Sequence, residues 1–97
     1  MEADFAELAC YEWGWDLVYE QFAINCRGGK KRAVPDFFVN DHGVLIEVKG
    51  LLGLGDRTDI ADIQKIVGLD RMLVLTTDYA SQLRSRALKL RRQYGLD

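Results

Sequence analysis

The sequence predicts a single α/β domain over residues 1–97, with the element order α-β-β-β-α-β-α. Three observations carry this. Apolar residues recur at helical spacing near the start, in the middle and at the end of the chain. Short runs rich in β-branched and aromatic residues lie between them, and Gly, Pro or Asn punctuates the joins. Ninety-seven residues, 48% hydrophobic and with a single proline, suffice for one core and argue against disorder.

Each element has its own reason. "EADFAELACYEW" sets Phe5, Leu8 and Ala9 on one stripe, which predicts a helix over residues 2–13. "LVYEQFAINC" is rich in β-formers and predicts a strand over about 17–26, stopped by Gly28 and Gly29. "DFFVN" is a short strand with Pro35 at its start, where a missing N–H is tolerated. "NDHG", 40–43, is a turn that joins it to "GVLIEVK" as a hairpin. "LLGLGDR" reads as a glycine-bearing connector, and "DIADIQKIVGL" as a helix by the spacing of Ile60, Ile63, Ile66 and Val67. "RMLVLTT" is a continuous apolar run of buried-strand length. From Thr77 or Asp78, either able to cap, a last helix carries Tyr79, Leu83, Ala87, Leu90 and Tyr94.

Composition excludes some classes. No apolar run approaches the roughly 20 residues of a membrane span. The acidic, amphipathic start "MEADFAEL" lacks the basic opening of a signal peptide. Cys10 and Cys26 form no CxxC or metal spacing, so both are expected to be reduced, buried thiols in a cytoplasmic protein. The net charge is −2, but nine of the 13 basic residues lie in "RGGKKR" (27–32) and "RSRALKLRR" (84–92). The first 26 residues hold six acids and no Lys or Arg. Two solvated surfaces, or a phosphate-contacting loop and helix beside an acidic pocket, would both give this pattern.

The segment "VPDFFVNDHGVLIEVKG", 34–50, holds charges where a buried hairpin should avoid them. Side chains alternate along a strand, so Glu47 and Lys49 share the face opposite Val44, Ile46 and Val48. Hairpin pairing brings Asp36 beside Glu47. Two close carboxylates raise one another's pKa unless a cation neutralises them, and oxygen ligands suit Mg²⁺ or Mn²⁺. Lys49 on the same face would orient an attacking water or stabilise charge on a phosphate. Glu-x-Lys alone recurs by chance about once in a chain of this size. The signal lies in a Pro-Asp upstream and in flanks, "FFV" and "VLI", too apolar for an exposed hairpin.

"PDFFV…GVLIEVKG" resembles the PD-(D/E)XK nuclease superfamily, with Asp36 as the motif Asp, Glu47 as the (D/E) and Lys49 as the Lys. The element order over residues 1–77 is similar to that superfamily's αβββαβ core. "PDF" followed by "GVLIEVKGL" is most similar to the phage-type endonuclease I that resolves Holliday junctions, and also resembles transposase-associated and VRR-type nucleases. The resemblance implies a restriction-endonuclease-like fold with a mixed central sheet and an extra C-terminal helix. It also implies Mg²⁺-dependent hydrolysis of DNA phosphodiesters, with Mn²⁺ substituting, in a bacterial, archaeal or phage-infected cell. Asp36 and Glu47 would bind the metal and Lys49 would position the nucleophile.

Such families often add an acid from the first helix. Among Glu2, Glu7 and Glu12, helical geometry favours Glu2, which falls on the stripe of Phe5 and Ala9. Glu20, on its strand, and Gln64 are secondary candidates. Some relatives carry Gln-x-x-x-Tyr after the motif, but position 68 here is Gly. Arg27, Lys30, Lys31, Arg32, Arg84, Arg86, Lys89 and Arg91 are the expected phosphate contacts. His42 reads as a solvated turn residue, and Trp13 and Trp15 as core or interface aromatics. Nothing resembles a separate base-reading module, which favours recognition of branched DNA by shape. Action on linear, nicked or flap DNA, or a catalytically silent DNA-binding module, are the alternatives. A symmetric junction also implies a homodimer, meeting through the last helix or the first with its tryptophans.

Overall fold

The computed structural model describes residues 1–97. Its main sheet has four strands in the order β1 (Leu17–Tyr19), β4 (Phe37–Val39), β5 (Val44–Lys49) and β6 (Met72–Thr76). β1–β4 and β4–β5 pair antiparallel and β5–β6 pairs parallel, so the sheet is mixed. The parallel step is made by α2 (Leu54–Val67), which crosses from the end of β5 to the start of β6.

One face of the sheet is covered by α1 (Glu2–Glu7), continued as a π-helical turn to Glu12, and by α3 (Leu83–Gln93). Phe5, Ala9, Trp15, Leu83 and Ala87 join Phe37, Ile46, Val48 and Leu75 in a core cluster of 14 buried residues. Phe5 and Ala9 of the first helix and Leu83 and Ala87 of the last are therefore buried in the chain's own core, while Leu90 is half-buried and Tyr94 exposed.

The other face is covered more thinly. α2 and a two-stranded ribbon, β2 (Ile24–Cys26) with β3 (Lys31–Ala33), enclose a cluster of five: Cys26, Leu45, Ile60, Ile63 and Met72. The strand expected over 17–26 is thus two strands in two sheets. β1 ends because its partner does: Tyr19 pairs with Phe37, and upstream of Asp36 stands Pro35, which has no N–H to extend a ladder. Glu20 then adopts a left-handed φ of 48° and turns the chain out of the sheet. The "RGGKKR" segment is the ribbon's turn and second strand, with positive φ at Arg27, Gly28 and Gly29.

Other expectations shift at their edges. α2 starts within the expected connector, at Leu54, and Ile66 is exposed although Ile60 and Ile63 are buried. α3 starts only after a 3₁₀ turn over Ala80–Gln82, so Tyr79 lies outside it and is exposed. The Thr77 hydroxyl donates to the Tyr79 carbonyl at 2.8 Å and does not cap the helix. Cys26 is buried but Cys10 is exposed, against the expectation of two core thiols. His42 is half-buried, its ring 5.3 Å from that of Trp15. No helix is long and apolar enough to cross a membrane.

Candidate active site

The hairpin register decides the site. Phe37 pairs with Ile46, so the next rung outward sets Asp36 against Glu47. The Asp36 amide donates to Glu47 Oε1 at 3.2 Å, and the Val48 amide donates to Asp36 Oδ2 at 2.8 Å. Each carboxylate thus grips the backbone of the opposite strand, and the two acid groups are held side by side. Asp36 is buried and Glu47 half-buried. Burial first, then the adjoining Asp36, push the Glu47 carboxyl up to about 8, only partly opposed by Lys49.

The α2 face of β5 carries this pair, as alternation from the buried Leu45 to Glu47 and Lys49 requires. Lys49 Nζ lies 3.6 Å from Asp56 Oδ1 and makes no ion pair with Asp36 or Glu47. Asp56 was not anticipated from sequence. It stands in the first turn of α2, where its Oδ2 accepts the Gly53 amide at 3.0 Å. The helix-start pattern, an acid three residues after a glycine, was the available signal.

Two carboxylates presenting oxygen suit a hard divalent cation such as Mg²⁺. That ion is commonly held by one or two acids and fills its shell with water and phosphate oxygens. A cation there would offset both the burial and the adjoining Asp36 that raise the Glu47 pKa. No group of three or more His, Cys, Asp or Glu is placed to hold a metal.

Glu2 and Glu20 instead converge on a residue that sequence reading passed over. The Tyr19 hydroxyl donates to Glu2 Oε2 at 3.2 Å. Hydrogen bonding to Glu20, then to Glu2, pushes the Tyr19 phenol up to about 12. The Glu20 amide donates to the Asp36 carbonyl at 2.9 Å, so this cluster adjoins the backbone of the site without joining its carboxylates. Glu20 belongs to no strand, contrary to expectation, because its left-handed φ ends β1. Gln64 is also elsewhere: its Nε2 donates to the Met72 carbonyl at 3.1 Å, and Met72 pairs with Leu45, two residues short of Glu47.

The basic residues divide. Arg27 Nε lies 3.2 Å from Asp59 Oδ1, the Arg27 amide donates to Asp62, and Lys31 pairs with Asp59. These contacts clamp the ribbon onto α2. Arg84 forms a two-point pair with Glu12, at 2.7 and 2.8 Å, that ties α3 to the first helix. Arg91 stacks over Trp13 at 4.9 Å and pairs with Asp97. Four of the eight expected phosphate contacts are therefore engaged within the chain, while Lys30, Arg32, Arg86 and Lys89 are exposed and without an ion pair. No known protein family, curated protein or solved structure matches the chain.

Proposed function

We propose that this chain is a divalent-metal-dependent endodeoxyribonuclease with the restriction-endonuclease-like fold, selective for branched DNA such as a four-way junction. The observation that carries the reading is the Asp36–Glu47 pair, locked across the β4–β5 hairpin with Lys49 on the same face. Its supports are the mixed sheet, the helical crossover and a Glu47 carboxyl raised by burial and by the adjoining Asp36.

Asp36 and Glu47 would hold Mg²⁺ or Mn²⁺. Such a cation supplies activated water and offsets charge on the phosphodiester. Asp36 is oriented by the Val48 amide, so its free oxygen has a fixed direction. Glu47 gives up its proton when a cation takes its place. Lys49 contributes an ammonium that orients the attacking water or stabilises charge building on the phosphate. Lys30, Arg32, Arg86 and Lys89 are exposed cations free to contact the phosphate backbone. Contacts of this kind position DNA without reading bases, which favours selection by shape. A second copy would be needed to cut both strands of a symmetric junction.

The test compares four-way junction, flap, nicked and linear duplex substrates at matched salt and Mg²⁺. Preference for the junction that survives randomised arm sequences supports the reading. Equal cutting of junction and linear duplex leaves a general nuclease, and binding without cutting leaves a silent DNA-binding module.

A further inference from the structure

Lys49 sits two residues from Glu47 on one strand face, yet its partner is Asp56, seven residues on and in another element. A lysine beside an acidic pair would ordinarily fold onto it. Asp56 can prevent this because its own position is fixed. One of its oxygens is taken by the Gly53 amide, which pins the carboxylate to the start of α2 and points the other oxygen at Lys49. The nearby Lys31 does not compete, since it is paired with Asp59 one helical turn further along. The pair is partly open to solvent and adds little to stability. Its consequence is geometric.

We propose that Asp56 is the positioning residue for Lys49, holding the ammonium off the Asp36–Glu47 pair so that their oxygens stay free for a divalent cation. Without the Asp56 charge, Lys49 turns to Glu47 and competes with the metal. The inference rests on the metal-dependent reading above and extends it to how the site is kept open.

The experiment measures Mn²⁺ binding by the full chain, without DNA, from the signal of free Mn²⁺ in electron paramagnetic resonance. Asp56→Asn keeps an oxygen for the Gly53 amide and removes only the charge, and thermal melting checks that the fold is retained. It should weaken Mn²⁺ binding about five- to tenfold, the size expected of directly coupled neighbours. In a Lys49→Ala background the same substitution should change nothing, and Asp56→Glu should restore part of the loss. An equal loss in both backgrounds, or none in either, would overturn the proposal while leaving the metal site standing. Mn²⁺ binding by the parent that is indifferent to Asp36→Asn would remove the metal site itself, and both readings with it.

Discussion

The two faces of β5 differ sharply. Val44, Ile46 and Val48 are almost wholly buried beneath α1 and α3, in a cluster of 14 residues. Leu45, one position over, belongs to a cluster of five under α2, and beyond it Glu47 and Lys49 are only half-buried. One strand thus anchors the domain with one set of alternate side chains and exposes charge with the other. A charged pair can sit in the middle of an apolar segment because the cost is confined to the thinner face, while the thicker face supplies the cohesion.

Chemistry gives the sharpest break between the faces. Lys49→Ala or Glu47→Gln should lower the cleavage rate by about 10²–10³. Thermal melting should show the fold retained in both. A Lys49→Ala variant that cleaves at a near-normal rate would sink the proposed catalytic role of this face.

Cavity substitutions compare the faces by stability. Ile46→Ala, in the larger cluster, should cost about 2–5 kcal/mol in denaturant unfolding. Leu45→Ala should cost less, since the five-residue cluster can relax toward solvent. The reverse order would show that α2, not the α1–α3 layer, carries the domain.

Asp36 links the two roles. Asp36→Ala leaves the Val48 amide without its acceptor in a buried position and should lower stability by about 1–3 kcal/mol. Asp36→Asn keeps an oxygen for that amide and should lose activity with less loss of stability. Asp36→Ala is therefore the poorer probe of chemistry, and equal melting curves for the two variants would contradict the backbone contact.

Glu47 gives a pH signature. The folded chain keeps this proton up to about 8, whereas an ordinary Glu releases it near 4.5. Within that window the folded state binds more protons than the unfolded one, so stability should fall as pH rises. Melting points between pH 5 and 8 should show the decline in the parent and a flatter profile in Glu47→Gln. Mg²⁺ should raise the melting point more at pH 8 than at pH 6, because binding requires the ionised pair.

The smallest expected effect concerns the basic loop. Neutralising Lys30 and Arg32 should flatten the salt dependence of DNA binding with little change in stability. Neutralising Arg27 and Lys31 should loosen the ribbon from α2 and register in melting as well. Identical behaviour of the two pairs would mean that the contacts with Asp59 and Asp62 are exchanged for phosphates when DNA binds.

Much of this was legible in the residues. The alternation in "GVLIEVK" put Glu47 and Lys49 on one face, and the turn at 40–43 brought Asp36 across from them. These are short-range consequences of a two-residue period and a hairpin, which local sequence specifies. The split of 17–26 was harder to see, because "LVYEQFAINC" is uniformly compatible with a strand. What ends β1 is the run of its partner, interrupted at Pro35, and a strand cannot signal in its own sequence where its partner stops.

By itself, then, the sequence determined the order of the three helices and the β4–β5 hairpin, the buried face of β5, and the two carboxylates and lysine set together on that hairpin. Only the tertiary structure decided the partners of the remaining charges. It took Arg27, Lys31, Arg84 and Arg91 into internal pairs, set Glu2 and Glu20 against Tyr19, and gave Lys49 to Asp56. The physical reason is one of range. Burial follows from local periodicity, whereas an ion pair depends on which long side chains from distant segments come within a few ångströms, and that distance is set only when the layers pack.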